Sequence, residues 1–183
     1  IAALSRDGGA PDWLRTQAAW MLRVTAGEPI DNLLPGPEGG VLFGGRPAAD
    51  VAFRGAPASE HRLRSDRAVL SHRVAVQPET TYLFSTRLRL PESAPAGRVE
   101  VWLVPHDSRA GRDRRYKAAP YPSFRLVPGQ WTLVCSTLAT PPETDTLIIY
   151  LVHRGLDGHP IHLADGKLAA IAGAPKPQPP GAL

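Results

Sequence analysis

Along most of the chain, apolar and polar residues alternate with a period of two. In "TTYLFSTRLRL", Tyr82, Phe84, Thr86, Leu88 and Leu90 fall on one side, and Leu83, Ser85, Arg87 and Arg89 on the other. That is the pattern of a strand with one buried face. The same period predicts short strands near 41–44, 51–54, 61–65, 69–77, 80–90, 98–105, 122–127, 130–138, 146–153, 160–164 and 167–171. They are punctuated by "GGRP", "RGAPAS", "PESAPAG", "VPGQ", "TPPETD" and "RGLDGHP", whose Gly, Pro, Asp and Ser supply turn conformations. Many short strands with no helical pattern between them predict an all-β fold, a β-sandwich of the jelly-roll type.

Residues 1–30 break the pattern. In "GGAPDWLRTQAAWMLRVTAGEP", Pro11 and Asp12 stand where a helix starts, and Gly27 and Pro29 where it stops. Trp13, Leu14, Ala18, Met21 and Leu22 recur at helical spacing, with Trp20 beside them. This predicts one amphipathic helix over 11–26, packed on its own domain or leading from an upstream one. The other end, "GAPKPQPPGAL", is a Pro-rich extended tail. The chain thus divides into an N-terminal helical segment or linker (1–30), a β-sandwich (31–172) and a tail (173–183).

Composition changes this picture little. Hydrophobic residues make up 43% and charged residues 21%, and the 20 prolines and 17 glycines suit a turn-rich fold. The formal charge is +4. Of 21 basic residues only Lys117, Lys167 and Lys176 are lysines, a skew that a GC-rich genome produces, so the charge does not argue for nucleic acid. An acidic ligand stays open, because arginine grips carboxylates in a planar fork. Cys135 is the single cysteine; it can form no internal disulfide and reads as a small buried hydrophobe. No apolar run reaches the roughly 18 residues of a membrane span. No signal peptide is visible, which carries no weight in a chain beginning at Ile1.

Four segments resemble the galactose-binding-like jelly rolls that include carbohydrate-binding modules of the family 4, 9 and 22 type. "DNLLPGPEGG" is similar to that group's opening, and "SHRVAVQPETTYLFSTRLRL" to its central hairpin. "GQWTLVCSTLATPPETDTLIIYLV" is similar to its Trp-Thr strand, Pro-containing turn and apolar strand, and "IHLADGKLAAI" to its last strand. The likeness covers roughly 31–172. It implies a structural calcium held between the opening and closing segments, here Glu38 and Asp165. Two departures weaken that: Glu38 lacks its accompanying Phe, and Ala164 replaces the first Asp of the closing pair. Calcium takes six to eight oxygens. Tyr82 and Trp131 match scaffold positions and are expected in the core.

In such folds a ligand lies across the outer, concave face of one sheet, on aromatic rings that stack against sugars and polar side chains that bond hydroxyls. Trp102 and Glu100 stand in the polar phase of their strand, against Val99, Val101 and Leu103. Trp102 is the expected platform, unless the helix or a loop covers it. Arg73, beside Ser71 and Ala75, points outward, as do Arg87 and Arg89; Arg73, Arg87 and Glu100 would converge on Trp102 if their strands are neighbours. Arg89, near Pro91, is expected in solvent. Tyr150 opposes the core phase of Leu147, Ile149 and Leu151, and a long loop carrying Arg112, Arg114, Arg115, Tyr116 and Tyr121 flanks the groove.

Other chemistries find less support. "HRGLDGHPIHLAD" carries His153, Asp157, His159, His162 and Asp165 without ligand spacing. There is no nucleophile elbow, no phosphate-binding glycine loop and no evident carboxylate pair. The expected function is a non-catalytic carbohydrate-binding module needing no cofactor. It would attach a larger protein or particle to a bacterial polysaccharide or oligosaccharide, neutral or acidic, outside the cell or at its surface. The alternative is a structural β-sandwich in a surface complex or phage-like particle, with Trp102 in a protein interface; a hydrolase fragment is the third reading.

Overall fold

Alternation becomes architecture through ten antiparallel strands among the described residues. The structure, a computed structural model, describes residues 9, 12–34, 42–63, 69–110, 112–113 and 121–171. The strands are β1 (Arg46–Phe53), β2 (Ala56–Arg62), β3 (Val69–Ala75), β4 (Thr81–Arg89), β5 (Gly97–Asp107), β6 (Arg112–Asp113), β7 (Ser123–Leu126), β8 (Thr132–Ala139), β9 (Thr146–Arg154) and β10 (Pro160–Ala170). Sheet I has the order β1-β2-β10-β4-β8, and sheet II the order β3-β9-β5-β6, with β7 also pairing with β5. Both sheets are antiparallel throughout. The fold is the β-sandwich that the period of two predicts.

The core lies between the sheets. Tyr82, Phe84, Leu88 and Leu90 of the opening pattern meet Val99, Val101 and Leu103 of β5 and Leu147, Ile149 and Leu151 of β9. Phe84, Leu88, Leu147 and Ile149 are sealed from solvent, each burial contributing about 1.5–3 kcal/mol. Tyr82 satisfies its hydroxyl at the edge of this core, where it accepts the Gln77 backbone N–H at 2.8 Å.

Three local departures have physical causes. Residues 42–44 form a 3-10 turn, not a strand: Phe43 sits at φ 65° and its ring lies edge-on to His61 of β2 and His72 of β3, a wedge between the two sheets. The next residue must be glycine, because a Cβ on Gly45 would lie 2.2 Å from the His61 ring. The "RGAPAS" turn is shorter than expected: Arg54 and Gly55 alone make it, both with positive φ, and Ala56 begins β2.

The strands expected at 160–164 and 167–171 are one strand, β10, whose register against β4 shifts between Ala164 and Lys167 around Asp165 at φ 54°. A bulge frees backbone groups from the ladder, and Asn32 from the opening segment takes them up. Its amide donates to Gly166 O at 3.0 Å, and its carbonyl oxygen accepts from Leu168 N at 2.9 Å and Leu34 N at 3.1 Å.

The helix, α1 (Asp12–Ala26), rests on the outer face of sheet I. Trp20, Met21 and Val24, with Ile30 beyond it, pack on Leu83, Leu133 and Ile171. Ala18 and Met21 of the expected stripe are covered and Val24 extends it, while the Arg23 guanidinium lies 4.7 Å from the centre of the Trp20 ring. Trp13 and Leu14 have side chains outside the description. The helix ends where the sequence predicts: Gly27 takes φ 78°, Gly27 N bonds Val24 O, and Glu28 N bonds Arg23 O, a glycine-terminated Schellman cap. Arg54 adds a bond to Thr25 O at 2.9 Å. Cys135 lies under the helix, its Sγ 3.8 Å from Met21 Sδ, and burial pushes its thiol up to about 11. The tail 173–183 lies outside the described residues.

The buried histidines predict acid sensitivity. Desolvation is the main cause that pulls His61 down to about 4, against an opposing pull from Glu60, and it also lowers His72 and His162. The folded state therefore holds them neutral while the unfolded chain titrates near 6.5. For His61 the stability contribution is complete above pH 6.5 and is lost as pH falls towards 4, and for His72 and His162 it has the same sign. Urea unfolding at pH 7 and pH 4.5 is expected to show a loss on the order of 2 kcal/mol from His61, and His61→Asn to flatten that dependence.

Candidate functional site

The ladder between β5 and β9 assembles the outward face of sheet II. It sets Trp102 opposite Tyr150 and Glu100 opposite Val152, and the β9–β3 ladder sets Tyr150 opposite Ser71 and Ile148 opposite Arg73. On the far side of β5, Val101 N donates to Pro122 O at 3.1 Å, which brings the chain entering β7 alongside Trp102. Tyr121 then stacks on the indole with ring centres 4.5 Å apart and planes 18° from parallel. The result is a transverse row of three aromatic residues, Tyr121 from the entry to β7, Trp102 from β5 and Tyr150 from β9.

The row stands on an apolar floor and beside a polar clamp. Val104, Ile148 and Val152 share its face and are buried. Glu100 receives the Trp102 indole N–H at 2.9 Å on one carboxylate oxygen and the Arg154 Nε–H at 3.2 Å on the other. The first bond fixes the indole in its plane. Arg154 is exposed and Glu100 mostly covered, so the carboxylate is neutralised from the solvent side. Arg73 is exposed at the rim, diagonal to Tyr150.

Trp102, Glu100, Tyr150, Tyr121 and Arg73 therefore share one face, although they come from β3, β5, β9 and the entry to β7. Arg87 does not join them. It lies on β4 in sheet I, and its outward direction leads to the opposite side of the sandwich. The helix is on that opposite side too, so it is Tyr121, and not α1, that covers one face of Trp102. Tyr116 lies outside the described residues. The loop expected after Trp102 begins instead as a hairpin, with β5 continuing to Asp107 and pairing with β6. Arg89 is held on sheet I by a bond from its Nε to Gly129 O at 3.0 Å. Trp131 is not in the central core; it packs outside sheet I, edge-on to Phe53 with centres 5.5 Å apart.

Arg154 was missed because it sits beside the "RGLDGHP" turn, although it keeps the phase of Tyr150 and Val152. Its link to Glu100 depends on which strand lies next door, so period alone does not reveal it.

Of the implied calcium pair, Glu38 lies outside the described residues. The Asp165 carboxylate is 2.9 Å from the Lys167 ammonium, and the neighbouring Gly166 carbonyl is taken by Asn32. A cation at Asp165 would have to displace a resident one. Among the described residues no three His, Cys, Asp or Glu side chains converge. His153 faces Asp157 at 3.8 Å and His162 faces Glu60 at 3.5 Å, on different sheets.

No protein-family model matches the chain, and no curated protein matches it in sequence. Solved structures do. The C-terminal family 22 carbohydrate-binding module of Clostridium thermocellum Xyn10B superposes with a TM-score of 0.53 at 18% identity, over 69% of this chain and 80% of that one. The CBM22-2 xylan-binding domain of Paenibacillus barcinonensis Xyn10C gives 0.51 at 15% identity, over 68% and 84%. A family 16 carbohydrate-binding module gives 0.50 at 14%, over 75% and 99%. The chain has the β-sandwich fold that these carbohydrate-binding modules share.

Proposed function

We propose that the protein is a non-catalytic carbohydrate-binding module whose ligand lies across the outer face of sheet II. The aromatic row carries this reading. Aromatic rings stack on the C–H faces of pyranoses, and indole and phenol edges bond hydroxyls. Trp102 is held in one orientation by Glu100 and by Tyr121, so little rotamer freedom is lost on binding. With one indole face against Tyr121, a sugar takes the other. Tyr150 hydroxyl and the Arg73 guanidinium are placed to bond hydroxyls further along, and Glu100 acts by positioning the indole.

The similar family 22 modules are described as xylan-binding, which makes a β-1,4-xylan the first ligand to try. A binding module works by tethering, so the reading includes a larger protein or assembly joined to this chain and a place outside the cell or at its surface. Among the described residues no helix is long and apolar enough to cross a membrane. Glu100 is already engaged by two donors and is a poor acid or base for glycoside cleavage, which needs a second carboxylate facing it.

A glycan array with the wild-type chain and Trp102→Ala tests the site. Binding to xylan or a related β-linked glycan is expected, with a loss of more than about tenfold in the variant, the scale of one removed aromatic platform. Equal binding by both proteins would place the ligand elsewhere, and no binding to any glycan would favour an assembly role. Glu100→Gln keeps the shape but removes the charge that holds Arg154. It is expected to weaken binding by roughly three- to tenfold, without changing the unfolding free energy by more than about 1 kcal/mol, as read by calorimetry and urea titration.

A further inference from the structure

The opposite face of the sandwich carries a second cluster in which one charged group is left over. On the outer side of sheet I, Arg46 pairs with Glu60 at 3.1 Å, and His162 lies 3.5 Å from the same carboxylate. Lys167 pairs with Asp165, Arg89 bonds Gly129 O, and Arg54 bonds Thr25 O at the end of α1. The Arg87 side chain stands among these groups and makes no hydrogen bond among the described residues; its Nε is buried without a partner. Its guanidinium lies 4.9 Å from the centre of the Phe53 ring, and Arg54 lies 5.4 Å from the same ring. Trp131 closes against Phe53 edge-on.

Among the described residues, the carboxylate that acts on Arg87, Asp165, is already bonded to Lys167, and Arg54 adds a like charge beside Arg87. Burial pulls the Arg87 pKa down, Asp165 opposes that, and Arg54 adds to it; the group stays charged all the same. A half-buried guanidinium with unused donors, pressed by a like charge, is stabilised by an anion that fits its fork. The aromatic pair beside it suits a ligand with an apolar ring attached to that anion.

We infer that Arg87, with Phe53 and Trp131, forms a second ligand site on sheet I, which takes a carboxylate carried on a sugar ring. It is separate from the Trp102 face and does not depend on that face binding anything. The planar fork favours a carboxylate, and the half-buried position beside two aromatic side chains favours a uronate over a small free ion.

The test is calorimetric titration of the full chain with trigalacturonate, with neutral galactotriose and with sodium acetate. Trigalacturonate is expected to bind, more weakly as salt rises, and galactotriose and acetate to bind at least about tenfold more weakly. Arg87→Gln should lose about tenfold or more, and Arg87→Lys a similar amount, since an ammonium keeps the charge but not the fork. Trp102→Ala should bind trigalacturonate as the wild type does. The proposal is overturned if wild type does not bind, if both Arg87 variants bind unchanged, or if acetate binds as well as the trimer. It is also overturned if the loss follows Trp102→Ala, which would assign the uronate to sheet II. Arg87→Lys keeps the stem and charge, so it stands as the folded variant should Arg87→Gln unfold.

Discussion

The antiparallel ladder between β5 and β9 is the interaction on which the rest depends. It runs from Arg98 opposite Arg154 to His106 opposite Thr146. Its inner residues, Val99, Val101, Leu103, Leu147, Ile149 and Leu151, form the sheet II half of the core. Its outer residues are Trp102, Glu100, Tyr150 and Arg154. A slip of one residue would turn the indole inward and the valines outward. The buried alternation therefore fixes the aromatic row, and core and candidate site are two sides of one constraint.

Sheet I is managed differently. Its outer face is closed by α1 over Leu83, Leu133 and Ile171, and by the β1–β2 hairpin, which brings Phe53 against Trp131. The two covers meet where Arg54 bonds the carbonyl of Thr25. Gly27 is favoured there by its φ of 78°, and its missing side chain leaves room for the Arg54 guanidinium. Arg87 emerges at this junction. The bulge in β10 belongs to the same region, and Asn32 reaches across from the opening segment to satisfy it. The opening and closing segments are thus joined by the Asn32 hydrogen bonds and by Leu33 N to Leu168 O, and the Lys167–Asp165 ion pair lies within the bulge itself.

Much of this was legible in the residues. The phase of "TYLFSTRLRL" separates Tyr82, Phe84 and Leu88 from Arg87, and the phase of "VEVWLV" separates Trp102 and Glu100 from the core. Gly27 and Pro29 mark the helix end, because glycine alone adopts its conformation there without strain. Less regular pieces misled. The apolar "VLFG" reads as a strand, yet at 42–44 it turns, since Phe43 is drawn between two histidines that lie on different sheets. Trp131 matches a core position, yet it packs outside, because the hairpin folds Phe53 over it.

What the residues determined by themselves is direction along each strand, which side chains face in and which face out. Alternation is local, and every stretch carries it without reference to the rest. A sandwich, however, has two outward faces, and phase does not say which of them a residue reaches. Trp102 and Arg87 are both outward, and only the pairing of β5 with β9 and of β4 with β8 and β10 sends them to opposite sides. Tertiary structure alone also decided that Tyr121 stacks on Trp102, that Arg154 completes the Glu100 clamp, and that the Arg87 guanidinium lies over Phe53 without a hydrogen-bond partner among the described residues. Each of these depends on which distant strand is the neighbour, and strand order is set by burying both inner faces at once.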